Sequence, residues 1–266
     1  MIASRQNRTL KDIRRLRRSK GDHALLEGPH LVGEALAAGL RLDLVLATPD
    51  YLASPPGRAL VATLPKPPLA VAPELLAEAA DADSPRGLLA VARLPRDGVA
   101  TLPARPGGAY LFVEGLQDPG NLGALARVAE AAGACGMALS PGTAHPNHPR
   151  ALRASAGSLL RLPVAVAVEA DSLGRHLAAG AGAQPPRWAA LVPRGGADLY
   201  QAAAPALAGT LILALGAEGP GVSPGLLARC ELRLTIPLAP PVESLNATVA
   251  AALTLFEIRR RRAERR

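Results

Sequence analysis

Apolar and polar positions alternate along this chain in blocks that switch between a helical and a strand-like period. Residues 6–18 carry Leu10, Ile13 and Leu16 on one stripe and Arg8, Lys11, Arg15 and Arg18 on another, which predicts a basic amphipathic helix. The short strand "HALLEG" follows, then "PHLVGEALAAG", whose helical period ends at Gly39, a residue suited to a helix C-terminus. "LDLVLATP" reads as a strand closed by proline, "APELLAEAA" as a helix and "GLLAVARLP" as a strand. Beyond residue 108 the strands "AYLFVEGL", "CGMALS", "LRLPVAVAV", "RWAALVP", "GTLILALG" and "ELRLTIPL" succeed one another. Helical stretches fall at 122–132 and 171–179 and from about Leu245 onward, and "PGTAHPNHPRALRASAG" reads as a polar loop. Strands alternating with helices predict an α/β fold with a mostly parallel, doubly covered sheet.

The Pro- and Gly-rich stretch "LPRDGVATLPARPGG" divides the pattern and reads as a linker over 95–108. Two domains are therefore expected, 1–94 and 109–266. Hydrophobic residues make up 49 % of the 266, but aromatics only 2 %, so the core must be built from Ala, Leu and Val. No apolar run reaches the roughly 18 residues a membrane span needs. The arginine-rich start has no apolar h-region, which excludes a secretory signal and leaves a faint likeness to a transit peptide. Cys135 and Cys230 show neither a disulfide framework nor metal-ligand spacing, which points to the cytoplasm and to no metal site.

The net charge of +8 is carried by the two ends. Residues 1–20 hold eight basic side chains against Asp12, and the stretch from Glu257 holds six arginines against two glutamates, leaving a slightly acidic body. Basic ends of this kind suit a polyanion, because each phosphate contact releases counterions. Solvated arginine clusters would look the same. Arg5, Arg8, Lys11, Arg15 and Arg18 are the candidate contacts to RNA or DNA phosphates.

Three stretches hold candidate chemistry. In "LQDPGNLGALARVAEAAGACG", a turn opens into an Ala/Leu helix bearing Arg127, either a solvated charge paired with Glu130 or a site residue; Gly120 and Gly123 do not make the dinucleotide fingerprint. In "LILALGAEGPGVSPGLL", a strand ends in Gly216-Ala217-Glu218-Gly219-Pro220-Gly221, a loop that permits close backbone approach to a ligand. In "TIPLAPPVESLNATVAAALTLFEIRR", Ser244 suits an N-cap before the run Val249, Leu253, Phe256, whereas Asn246 is a poor first-turn residue unless its amide is used.

Taken in order, these stretches resemble the three signature motifs of the SpoU (TrmH) branch of the SPOUT methyltransferases. The matching residues are Asn121, Gly123 and Arg127; then Gly216-Ala217-Glu218-Gly219; then Ile236-Pro237 with Ser244-Leu245-Asn246. "RASAGSLLRLPV" also resembles a segment between motifs, and "SRQNRTLKDIRRL" with "LLEGPHLVGEAL" is similar to the substrate-binding domain of many rRNA-modifying members. Pro220, Leu238 and Pro240 stand where the family often has lysine, methionine and glycine.

The resemblance implies a ribosomal-protein-like α/β/α domain, then a SPOUT domain with a C-terminal trefoil knot. It also implies a homodimer that methylates ribose 2′-hydroxyls with S-adenosylmethionine, without a metal and with large-subunit rRNA favoured over tRNA. By the same resemblance Arg127, Asn121, Glu218, Ser244 and Asn246 form the catalytic set. Leu215, Gly216, Gly219, Ile236, Leu238, Ser244 and Leu245 form the cofactor set. A non-catalytic RNA-binding protein of the same fold and a nicotinamide enzyme on a Rossmann-like sheet are the competing readings. The intact polar motifs argue against the first and the missing fingerprint against the second.

Overall fold

The computed structural model describes residues 1–16, 21–81, 86–96, 98–180, 184–203 and 207–264. The chain forms two compact units, one of residues 1–95 with 145–161, the other of 96–144 with 162–266.

In the first unit α1 (Arg8–Leu16) is followed by β1 (His23–Glu27), α2 (Gly28–Ala37), β2 (Leu42–Ala47), α3 (Pro49–Ala53), α4 (Pro55–Thr63), β3 (Leu69–Ala70), α5 (Pro73–Ala79) and β4 (Leu88–Arg93). The sheet order is β1-β4-β2-β3, with β4 antiparallel to both of its neighbours. As the stripe predicts, Leu10 and Ile13 of α1 are fully buried, packed with Leu25, Leu46, Leu76 and Leu89. Arg8, Lys11 and Arg15 stay exposed on its outer side. Arg18 lies outside the described residues.

Residues 145–161 depart from the reading as a polar loop. They form α7 (Pro149–Ala154) and α8 (Ser158–Arg161), bury Ala151, Leu152, Leu159 and Leu160, and cluster with the first unit. His148 caps α7, its Nδ1 accepting from the Arg150 N–H at 3.1 Å. Arg153 donates to Glu27 Oε2 at 2.6 Å and to Asp81 Oδ2 at 2.9 Å, and Arg161 pairs with Glu34. The Glu27 side chain is 1 % exposed, so this carboxylate requires the guanidinium it receives. Helices of six and four residues are too short to declare a 3.6-residue period.

The second unit runs β5 (Ala109–Val113), α6 (Pro119–Ala132), β6 (Gly136–Leu139), β7 (Val164–Ala165), α9 (Ala170–Gly180), β8 (Arg187–Leu191), β9 (Ala197–Asp198), β10 (Leu211–Leu215), α10 (Pro224–Leu227), β11 (Leu232–Thr235) and α11 (Ala247–Ala263). Its seven strands are ordered β7-β6-β5-β10-β8-β11-β9, and every pairing is parallel. All five residues of β10 are buried, the continuous apolar run expected of a parallel strand covered on both faces. Phe112 and Trp188 meet edge to face at 5.6 Å in the core.

Residues 96–108 are not a free linker. Leu102 is buried in the core of this unit, and the Tyr110 hydroxyl donates to Pro103 O at 2.5 Å while accepting the Arg105 N–H at 2.8 Å. Apolar contacts and a buried hydroxyl override the Pro/Gly composition here.

Near the C-terminus, Arg261 and Arg262 are likewise turned inward. Arg262 donates to the carbonyls of Leu207, Gly107 and Gly209, and Arg261 to those of Ala202, Leu199 and Tyr200. Two of the arginines expected to serve a polyanion at this end are thus engaged with loop carbonyls, for which a five-donor fork is well shaped. Arg260 and Arg261 both donate to the Glu257 carboxylate. Those hydrogen bonds, Arg260's first, pull its pKa from 4.5 down to about 2. A carboxylate depressed on folding adds stability that is complete above its unfolded pKa and fades as pH falls towards the folded value. Glu257→Gln should therefore flatten the loss of stability between pH 4.5 and about 2, measured by chemical unfolding across that range. A mutant curve parallel to wild type there contradicts the pairing.

Candidate active site

Strand order reverses between β5 and β10, because β6 and β7 extend the sheet one way and β8, β11 and β9 the other. The crevice beyond the carboxyl ends of strands at such a switch point is where open α/β sheets bind ligands. A cavity of about 530 Å³ lies at that end, lined by Leu191, Val192 and Pro193 after β8, by 215–219 and Gly221 after β10, and by Ile236, Leu238 and Ser244–Asn246 between β11 and α11. Every expected cofactor residue lines it: Leu215, Gly216, Gly219, Ile236, Leu238, Ser244 and Leu245.

The Gly216–Gly221 loop is shaped by what its glycines lack. A Cβ on Gly216 would sit 1.9 Å from the Gly221 carbonyl carbon, so the loop closes on itself only because position 216 has no side chain. Gly219 and Gly221 take φ of 88° and 72°, the left-handed region that glycine enters at little cost. Behind the loop, Glu114 at the end of β5 accepts from both the N–H and the hydroxyl of Ser223 at 2.8 Å. Ser223 in turn caps α10, its hydroxyl accepting from the Leu226 N–H at 3.3 Å. Glu114 was not singled out in the sequence, since a lone acid after a strand has no local signature.

Glu218 gathers the polar site residues. Asn121 donates its side-chain amide to Glu218 Oε1 at 2.5 Å, and Asn246 donates to the same oxygen at 3.4 Å. Asp118 caps α6 by accepting the Asn121 N–H at 2.8 Å, which leaves the Asn121 side chain free to reach across. The α11 cap is Asn246, not Ser244: its Oδ1 accepts the N–H of Thr248 at 2.9 Å and of Val249 at 3.4 Å. One amide thus caps a helix with its oxygen and binds Glu218 with its nitrogen. Thr248, a further residue outside the sequence reading, donates its hydroxyl to Asn121 O at 3.3 Å and ties α11 to α6. Ser244 lines the cavity and makes no side-chain hydrogen bond among the described residues.

Arg127 stands apart from this cluster. It is exposed on α6, does not line the cavity, and enters no hydrogen bond or ion pair among the described residues, so the expected pairing with Glu130 does not form. Helix α6 therefore presents a guanidinium that no carboxylate among the described residues neutralises. In the first unit, Arg5 and Arg14 converge on Glu78, while Arg8 and Arg15 sit 3.9 and 4.0 Å from Asp12 with side chains 96 % and 83 % exposed. Lys11 is exposed between them. Among the described residues, no group of three or more His, Cys, Asp or Glu side chains could hold a metal, and no helix is long and apolar enough to cross a membrane.

An apolar cavity with a glycine cradle and few polar groups suits a cofactor with a flat, largely apolar ring and a polar tail. The N–H groups of Ile236, Leu238 and Leu245 donate to no backbone carbonyl among the described residues, so they are available to such a ligand.

The SpoU rRNA Methylase family model matches residues 108–256, and a model of the MRM3-like substrate binding domain matches residues 6–90. An "uncharacterized tRNA/rRNA methyltransferase" of Synechocystis sp. is 35 % identical over 97 % of this chain and 93 % of its own length. The 23S rRNA (guanosine(2553)-2′-O)-methyltransferase RlmP of Bacillus subtilis is 29 % identical over 97 % and 98 %. Among solved structures, the SpoU methyltransferase AviRb of Streptomyces viridochromogenes in complex with AdoMet superposes with a TM-score of 0.87 at 26 % identity, covering 97 % of this chain and 99 % of that one.

Proposed function

The chain belongs to the SpoU rRNA methylase family, and from that premise we propose that it methylates a ribose 2′-hydroxyl of large-subunit rRNA with S-adenosylmethionine. The observation that carries this reading is the cavity at the carboxyl ends of β8, β10 and β11, walled by two motif loops and bordered by the Asn121–Glu218–Asn246 cluster. S-adenosylmethionine supplies an electrophilic methyl group on a sulfonium. Leu215, Gly216, Gly219, Ile236, Leu238, Ser244 and Leu245 hold it. The protein's own task is to orient the hydroxyl, whose proton passes to solvent water as the O–CH3 bond forms and the S–CH3 bond breaks, and to stabilise the negative charge that grows on its oxygen. Arg127 takes that second role electrostatically, because a guanidinium does not give up its proton at physiological pH. Its lack of a partner among the described residues supports this. Asn121, Glu218 and Asn246 fix the two loops relative to each other, and Ser244 faces the cavity to help position the reactants.

The rRNA assignment follows the names of RlmP and of the Streptomyces viridochromogenes 23S rRNA (uridine(2479)-2′-O)-methyltransferase, 28 % identical over 93 % of this chain. The first unit is the substrate-binding domain in this reading, and Arg5, Arg8, Lys11, Arg15 and Arg18 are its candidate phosphate contacts. We read the working form as a cytoplasmic homodimer whose sites are completed at the subunit interface. The stripe Val249, Leu253 and Phe256 supports this, since α11 leaves these side chains 47 %, 38 % and 47 % exposed instead of burying them in its own core. Insertion of β10 between β5 and β8, both earlier in the chain, is compatible with the family's trefoil knot.

The test is transfer of label from radiolabelled S-adenosylmethionine to unmodified 23S rRNA, 16S rRNA and tRNA, with the mass of the same sample measured by light scattering. Label in 23S rRNA as an alkali-resistant dinucleotide is the expected result, from a particle of twice the chain mass. Label in tRNA instead would overturn the substrate, and a single-chain mass would overturn the dimer. No transfer to any RNA, with no cofactor bound, would favour a non-catalytic RNA-binding protein.

A further inference from the structure

Residues 236–245 form one wall of the cofactor cavity and cross from β11 to α11 without regular structure. Their one backbone hydrogen bond among the described residues is internal, from the Val242 N–H to Ala239 O. Among the described residues a single side-chain bond ties the stretch to another element: Arg194 Nη2 donates to Glu243 Oε1 at 2.7 Å. Arg194 directly follows Pro193 on the opposite wall, and Glu243 directly precedes Ser244. The ion pair thus joins the two walls, one residue outside the lining on each side.

We propose that Arg194 and Glu243 form a clasp that holds the 236–245 loop over the cofactor cavity, with Arg194 a positioning residue for Ser244 and Leu245. The proposal rests on the reading of that cavity as the S-adenosylmethionine site. Both side chains are largely solvated, at 73 % and 77 % exposure. An ion pair in water is weak and opens readily, which suits a wall that must admit one cofactor and release its product at every turnover. A buried pair in the same place would resist opening, and an apolar contact would not respond to ionic strength.

The experiment measures the Kd and dissociation rate of S-adenosylhomocysteine by calorimetry and stopped flow for wild type, Arg194→Ala, Glu243→Ala, the double alanine variant and the charge-swapped Arg194→Glu/Glu243→Arg. Each single alanine variant should bind about two- to five-fold more weakly, chiefly through faster release, with an unchanged melting temperature. The double variant should be no worse than either single one, the swap should restore binding, and the difference from wild type should shrink in high salt. Unchanged binding by Arg194→Ala, or losses that add in the double variant, would overturn the clasp while the cofactor site stands. A wild type that binds no S-adenosylhomocysteine would overturn both.

Discussion

Replacing Arg127 with alanine should lower the turnover of ribose methylation by about 10²–10³-fold, the usual cost of removing a charge-stabilising donor from a transition state. Arg127 is exposed and makes no hydrogen bond or ion pair among the described residues, so its removal leaves no buried partner stranded. The melting temperature and the affinity for S-adenosylhomocysteine should therefore stay at their wild-type values. That separation is the useful part of the result, because a structural arginine such as Arg262 would fail in the opposite way. Arg262 uses its guanidinium on three carbonyls, and alanine there should lower stability first. Lysine at 127 keeps the charge but loses the planar fork, so Arg127→Lys should retain part of the activity. Single-turnover transfer of label with saturating RNA reads these effects directly. Activity of Arg127→Ala within ten-fold of wild type would remove this side chain from the catalytic set.

The second large effect is expected at Gly216. Alanine there places a Cβ 1.9 Å from the Gly221 carbonyl carbon and 2.1 Å from both the Gly221 oxygen and the Val222 nitrogen. These are backbone atoms, so no side-chain rotamer relieves the contact and the loop must open. Overpacking of this kind costs about 1–3 kcal/mol, and here it falls on the loop that carries Glu218. Gly216→Ala should weaken S-adenosylhomocysteine binding by ten-fold or more and slow methyl transfer further, since Glu218 would no longer meet Asn121 and Asn246. Alanine at Gly219 makes an informative contrast. Nothing lies within 4 Å of its Cβ position, so the cost there is only that of holding a φ of 88°. Calorimetry on the two variants separates steric closure from backbone strain. Wild-type affinity in Gly216→Ala would show that the loop can open without harm to the site.

The sequence by itself determined the parallel α/β pattern of the second unit, the amphipathic α1 and the three motif stretches. Each rests on a local regularity: apolar runs the length of a strand, a stripe at i, i+3 and i+6, glycines and prolines at loop ends. Of the seven residues named for the cofactor, Leu215, Gly216, Gly219, Ile236 and Leu238 line the cavity because they sit at or just beyond strand ends, which parallel pairing brings to one end of the sheet, and Ser244 and Leu245 because they lie just before α11. Only the tertiary structure decided the rest. It assigned residues 145–161 to the first unit through Arg153, Glu27 and Asp81, which are distant in sequence. It gave the α11 cap to Asn246 where Ser244 was equally suitable. It turned Arg261 and Arg262 onto carbonyls of loops roughly 50 to 155 residues away in the chain. Charge and capping ability belong to a residue, but the partner that uses them is set by which elements pack together, and no local period records that choice.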